Sequence, residues 1–388
     1  MNEVLIDVTR LVDRFMRGRL PTGVDRVGLA YVHHYGHRAQ AVVRWAGHSW
    51  VLPRAQSDKL FEWLFAPTTG RTAVRHIASG MLAGWNAQGV AGRFLFNTGH
   101  SGLERVVYPA MLRRMQVKPL FLVHDLIPIT HPEYCRAGED ARHISRMNNV
   151  LALASGVITN SQATLGQLAL FARHSGQAMP PSVAVLLAPG MLAATAGARP
   201  MEAPYFVILS TIEPRKNHWL LLQVWRRLVE RLGAQAPRLV VIGQRGWECE
   251  NVVDLLERCA PLRGFVSEHS SCSDAELVTY LHHAQALLFP SFVEGYGMPL
   301  VEALALGVPV IASDLPVFRE IAAGIPEYVD PLDGKRWGEL VMEYAQPQSQ
   351  SRAAQLVRLA DFKVPGWPDH FAKVDALLTQ LSESEQHG

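Results

Sequence analysis

Two doubly wound α/β domains, each a parallel sheet covered by helices, are what this chain predicts. Three observations carry that prediction. Its 388 residues exceed what one hydrophobic core organises. Its short apolar runs lack polar alternation, which is how strands buried on both faces read. Those runs are separated by stretches with the 3.6-residue period of amphipathic helices.

In the first half the runs fall at residues 4–8, 93–96, 120–124, 156–159 and 183–187. In the second half they fall at 206–211, 238–242, 286–289 and 308–312. Between two of them, residues 219–232 put Leu221, Val224, Trp225, Leu228 and Leu232 on one helical face. A helix over 300–306 should stop at Gly307, a residue suited to the left-handed position that ends helices. Residues 345–354 read as a polar connector. The tail at 366–382 reads as a helix with Phe371, Val374, Leu377, Leu378 and Leu381 as its apolar stripe. The stretch 189–204, with three prolines and little apolar periodicity, marks the boundary between domains at 1–195 and 196–367.

Composition narrows the function. No run approaches the ~18 apolar residues of a membrane-spanning helix. Acids at Glu3 and Asp7, with no cationic segment leading into an apolar one, do not read as a signal peptide. Cys135, Cys249, Cys259 and Cys272 lack metal-ligand spacing and read as reduced thiols, so a cytoplasmic protein is expected. The net charge of +2 hides an asymmetry: residues 1–195 carry 20 Lys and Arg against 11 Asp and Glu, and the remainder 17 against 24. A basic half fits a phosphorylated acceptor, a membrane surface or nucleic acid, and equally an ordinary arginine-rich surface. No basic groove interleaved with aromatics is present, so nucleic acid is not expected as a partner.

Ligands of open α/β sheets bind beyond the C-terminal ends of the strands, so the residues after each run matter most. After 206–211 comes Glu213-Pro214-Arg215-Lys216-Asn217 and a helix. Arg215 and Lys216 there fit either an anion site suited to a diphosphate or a solvated pair at a helix start. After 286–289 comes the loop Ser291–Met298, with Glu294 in it and Glu302 on the helix that follows. Gly295 and Gly297 would let backbone N–H groups approach a ligand. The two carboxylates fit acceptors of sugar or ribose hydroxyls, and Glu302 fits a structural cap equally well. His124 ends the run at 120–124, where a ligand contact and a purely structural imidazole are both open. Gly23, in Pro21-Thr22-Gly23-Val24-Asp25-Arg26, opens a helix after the first run.

Together these segments resemble the retaining, GT-B-fold, nucleotide-sugar glycosyltransferases of family 4, the glycosyltransferase group 1 type. The resemblance rests on Glu294 and Glu302 within PSFVEGYGMPLVEALALGVPVIASDLPVFREI, on EPRKN, and on HDLIPITHPEY. It spans about residues 205–345 closely and the first half more loosely. It implies two Rossmann-like domains facing a cleft, with the C-terminal helix, 368–388, crossing back onto the first domain. It implies that Arg215 and Lys216 neutralise the leaving diphosphate and that Glu294 holds sugar hydroxyls beside the N–H groups of Gly295, Tyr296, Gly297 and Met298. Glu302 would hold the ribose, His124 would contact the donor sugar, and Gly23 would face the diphosphate. Many members carry Arg five residues before the Lys, where this chain has Thr211. No metal and no cofactor are implied. HDLIPITHPEY with EPRKN is most similar to bacterial surface-polysaccharide enzymes, many of them mannosyltransferases using GDP-mannose. The implied partners are a nucleotide-diphosphate sugar and a lipid-linked or oligosaccharide acceptor, met in the cytoplasm or peripherally at the inner face of the inner membrane. UDP-, dTDP- or GDP-rhamnose-type donors, a nucleotide-sugar epimerase of the same fold, and a subunit that has lost its chemistry are the alternatives.

Overall fold

The computed structural model describes residues 3–19, 21–45, 48–68, 70–83, 89–190 and 195–384. The chain divides into two compact units, one of residues 1–130, 137–187 and 366–388, the other of residues 131–136 and 188–365. The division falls after Leu187 and Pro365 rather than at 195 and 367, and the short segment 131–136 joins the second unit. Part of the boundary stretch read from the sequence, residues 191–194, lies outside the described residues, as do 385–388 of the C-terminal segment.

The first unit contains β1 (Val4–Asp7), β2 (Ala39–Trp45), β3 (His48–Val51), β4 (Phe94–Asn97), β5 (Lys118–Val123), β6 (Gly156–Thr159) and β7 (Ser182–Ala184). Their order across the sheet is β3-β2-β1-β4-β5-β6-β7. All neighbours run parallel except β2 and β3, which form an antiparallel hairpin. Leu5, Leu95, Phe121 and Val157 of the central strands are fully buried, as strands covered on both faces must be.

The C-terminal helix, Trp367–Ser384, belongs to this unit, and all five stripe residues read from its sequence are buried. His370 pins it. Its Nδ1–H donates to Leu186 O at 3.0 Å, which leaves Nε2 to accept from Tyr31 Oη at 2.9 Å. Tyr35 Oη donates to Asp375 at 3.0 Å one turn further on.

The second unit contains β8 (Tyr205–Leu209), β9 (Arg238–Ile242), β10 (Val266–His269), β11 (Leu287–Phe289), β12 (Val310–Ser313) and β13 (Glu327–Val329). Their order is β10-β9-β8-β11-β12-β13, parallel throughout. The helix His218–Leu232 buries Leu221, Val224, Trp225 and Leu228 against Phe206 and Trp337. Residues 345–354 are not all connector. A helix, Gln350–Leu359, begins inside them, with the Ser349 hydroxyl capping it by accepting from Arg352 N at 3.1 Å. Gln355 explains why a polar sequence stays ordered there. It is fully buried, donating to Val310 O at 2.6 Å and Ile325 O at 3.1 Å and accepting from Tyr344 Oη at 2.8 Å.

Candidate active site

In both sheets the order of strands reverses direction once, between β1 and β4 in the first and between β8 and β11 in the second. The loops leaving the two strands at such a point diverge and open a crevice for a ligand. In the second unit those loops are residues 210–217 and 290–297, the two segments singled out from the sequence.

The EPRKN segment is not yet α-helix. Pro214–Lys216 forms a single 3₁₀ turn, Asn217 takes a left-handed conformation (φ 57°), and the α-helix opens at His218. Asparagine tolerates that conformation, and its side chain repays it by donating to Pro290 O at 3.2 Å and Pro331 O at 2.8 Å. A backbone bond from Phe292 N to Arg215 O, 2.9 Å, ties the loops together again.

Arg215, Lys216 and Glu294 meet in direct contact. Glu294 Oε1 takes Lys216 Nζ at 2.5 Å and the Ser291 hydroxyl at 2.7 Å, while Oε2 takes Arg215 Nη1 at 2.9 Å. Arg215 Nε pairs with Glu213 at 2.7 Å. Two cations and two carboxylates therefore alternate in a quartet without net charge, buried except at Arg215. The Glu294 side chain is 6% exposed and that of Glu213 3%. Burial alone would raise the Glu294 carboxyl, but Lys216 and Arg215 outweigh it and bring it down to about 2. Glu213, with less cationic compensation, is raised by its burial. Burial and the neighbouring Arg215 lower Lys216, against the pull of Glu294.

Gly297 shapes the second loop. Its φ is 105°, and a Cβ there would stand 2.5 Å from Phe318 Cε1. Gly295 and Tyr296 precede it, and Met298 begins the helix Met298–Ala305 that carries Glu302. Glu302 is buried and accepts from Gly190 N at 3.3 Å, a partner apart from the quartet. The helix stops where expected, with Gly307 left-handed at φ 75°. Thr211 is exposed on the loop after β8.

Gly23 and His124 lie in the first unit. Gly23 is exposed at the start of the helix Gly23–Tyr35, next to the cap Thr22. His124 is buried beyond β5. Its Nε2–H donates to Thr98 O at 2.7 Å, so Nδ1 keeps the lone pair. Burial keeps the ring neutral by lowering its pKa. Its backbone N–H donates to His100 Nε2 at 3.3 Å.

Three features escaped the sequence reading. Glu213 stands within EPRKN, and a carboxylate two residues before an arginine was its signal. The segment 131–136 packs on the second unit, with Tyr134 stacked on Phe292 at 5.3 Å and Arg136 over Trp247 at 5.3 Å. Asp25 of the first unit is fully buried against two arginines, Arg10 and Arg14.

Residues 195–324 match the family described as "Glycosyl transferases group 1", a span that holds the quartet and Glu302. The "Serotype-specific mannosyltransferase WbdA" of Escherichia coli is 27% identical over 285 residues, covering 66% of this chain and 34% of that protein. "O-antigen chain mannosyltransferase B" of Escherichia coli is 31% identical over 163 residues, 42% of each chain. The chain thus spans about a third of the length of the first of these relatives. The crystal structure of Anabaena Alr3699/HepE in complex with UDP superposes with a TM-score of 0.62 over the full length of both chains at 15% identity, a likeness of fold. The chain therefore has the GT-B fold, matches the group 1 glycosyl transferases over residues 195–324, and resembles O-antigen mannosyltransferases.

Proposed function

We propose that this chain is a retaining, metal-independent glycosyltransferase that moves a hexose, mannose from GDP-mannose, onto a glycan or lipid-linked acceptor of a surface polysaccharide. The observation that carries the reading is the Arg215–Lys216–Glu294 contact at the reversal point of the second sheet. The printed functions of the mannosyltransferase relatives support the choice of sugar.

As the bond between anomeric carbon and diphosphate breaks, the sugar gains positive charge and the diphosphate about one further negative charge. Arg215 and Lys216 are held in place for that moment by Glu213 and Glu294 rather than recruited from solvent. One preorganised donor of this kind is worth about 3 kcal/mol of barrier. Glu294, ionised at every working pH, is an acceptor only. It takes hydrogen bonds from sugar hydroxyls and does not serve as a proton donor. His124, with Nδ1 unprotonated, likewise accepts from a hydroxyl. The acceptor oxygen attacks on the face the diphosphate leaves. Its proton passes to a diphosphate oxygen, so retention needs no protein nucleophile. The excess of cations in residues 1–195 supports a phosphorylated acceptor at a membrane face.

A thermal-shift panel of UDP, GDP, dTDP and ADP tests the donor site, because a ligand at 100 times its Kd stabilises by about 2.7 kcal/mol. GDP should raise the midpoint and Lys216→Ala should abolish the rise. No response to any nucleotide refutes the reading. Incubation of GDP-mannose without acceptor separates the classes, since accumulation of an isomeric nucleotide sugar identifies an epimerase instead.

A further inference from the structure

The second unit has a cleft at the end of its sheet opposite the quartet, and its chemistry stands on that unit alone, whether or not the donor reading holds. Gln285 N donates to Tyr205 O at 2.8 Å, which places residues 282–285 at the starts of β8 and β11. The quartet lies beyond the other ends of the same two strands. The cleft is bounded by residues 282–285, by Arg199, and by the start of the helix Gln350–Leu359 with the turn before it. It measures about 580 Å³, within the range of small-molecule sites.

Its lining is one-sided. Arg199, Arg352, His282 and His283 contribute to it, no Asp or Glu does, and four of the other residues are glutamines. The half of the chain that builds it has 24 acids against 17 Lys and Arg, so a patch without acids runs against the local composition. Arg352 is half-buried, and its Nε–H donates to Gln285 O at 3.0 Å. Its Nη groups have no partner among the described residues. Burial lowers its pKa, with no carboxylate beside it to offset the lost water. Arg199 is exposed and likewise meets no carboxylate among the described residues. The backbone two residues before it is fixed: His283 Nε2–H donates to Gly197 O at 2.9 Å, and Gly197 N donates to the Thr279 hydroxyl at 2.9 Å.

We propose that this cleft binds an anionic saccharide, with its carboxylate or phosphate on Arg199 and Arg352 and its hydroxyls on the glutamine amides. A guanidinium matches the two oxygens of either anion, and a primary amide both donates and accepts, as a sugar hydroxyl does. The five residues of β8, at about 3.3 Å each, lie between the two ends of the sheet, so this ligand is held apart from the group transferred.

Isothermal titration of the full chain at low salt with mannose 6-phosphate and with glucuronate, against mannose and inorganic phosphate, tests this. At least one anionic sugar should bind at least tenfold more tightly than both controls, and the one preferred identifies the anion. Arg352→Gln should weaken that binding about tenfold, the loss of one charge-assisted contact. Arg199→Gln, at an exposed position, should do the same and covers the case in which the Arg352 variant does not fold. Lys216→Ala should bind the sugar as the wild type does. Loss of binding there places the ligand in the donor site and overturns the proposal, whereas binding that persists while no nucleotide shifts the melting point sinks the donor reading alone. Equal affinity for either control, wild-type affinity in Arg199→Gln, or no binding of either anionic sugar also overturns it.

Discussion

Replacing Glu294 by glutamine keeps the volume and one carbonyl acceptor but removes the charge between Lys216 and Arg215. The magnitude follows from the carboxyl's own ionisation. In the folded chain it lies at about 2, against an ordinary 4.5, and each tenfold step in the constant is worth about 1.4 kcal/mol. The ionised carboxylate therefore contributes roughly 3 kcal/mol to the second unit, near what breaking a buried ion pair costs. The sign is that of a depressed carboxyl. The contribution is complete above pH 4.5 and is lost as pH falls from there towards 2. Urea unfolding at pH 7 and pH 3, with hydrogen exchange over β8 and β11 reporting the second unit, measures it. Glu294→Gln should lie about 3 kcal/mol below the wild type at pH 7 and approach it at pH 3, while other carboxyls cancel in the difference. A gap of equal size at both values would refute the coupling of Glu294 to its two cations.

Lys216→Ala should lower turnover by about a hundredfold or more while far-UV circular dichroism stays unchanged, measured as sugar transfer per enzyme. Gly297→Ala meets both a positive φ and Phe318, and should cost about 3 kcal/mol in urea. Gly307→Ala, at φ 75° with open space around it, should cost only about 1 kcal/mol. Burial lowers His370 from 6.5 to about 4, so the stability tied to its neutral ring is present above pH 6.5 and lost as pH falls towards 4. Melting points at pH 7.5 and 5 should converge for His370→Phe relative to the wild type.

What the sequence disclosed, and what it hid, divides along burial. β1, β4, β5 and β6 and their counterparts β8, β9, β11 and β12 are covered on both faces, so unbroken Val, Ile, Leu and Phe announced them. β2 and β3 form the hairpin at one edge, where Gln40 and Arg44 interrupt the apolar run, and β13, Glu327-Tyr328-Val329, offers a single aliphatic residue where the three-residue β11 offers an unbroken apolar run. The segment 131–136 was hidden for another reason. His131-Pro132-Glu133-Tyr134 carries no periodicity, and its affiliation with the second unit depends on stacking against Phe292, a contact between residues 158 positions apart. At the site, EPRKN and the loop around Glu294 were legible because charge and glycine after a buried strand are costly unless they do something. Their pairing was not legible. Both readings open for Arg215 and Lys216, an anion site or a solvated pair, left them without a protein partner, whereas the fold gives each a carboxylate.

That pairing is the same device on which the first unit is built. Arg215 is gripped through Nε by Glu213, and Arg10 through Nε by Asp25, each carboxylate buried and each arginine a few residues beyond the strand where the sheet reverses. An arginine free in solvent samples many rotamers, and ordering it on a ligand costs about 2 kcal/mol of side-chain entropy. A buried carboxylate removes that cost in advance and fixes the plane of the guanidinium, at the expense of burying a charge. The expense is met locally at Asp25, by Thr22 N and the Thr22 hydroxyl, and only in part at Glu213, where burial outweighs the cations and still raises the carboxyl. The two devices differ in what becomes of the Nη edge. In the second unit Nη1 is already occupied by Glu294, so a phosphate must share the guanidinium with a carboxylate, and the cost of that sharing falls as the phosphate gains charge. In the proposed transfer such a site would discriminate between a diester-like diphosphate and the more highly charged diphosphate it becomes on leaving, and so would favour the transition state over the bound donor. In the first unit no described side chain takes the Nη edge of Arg10.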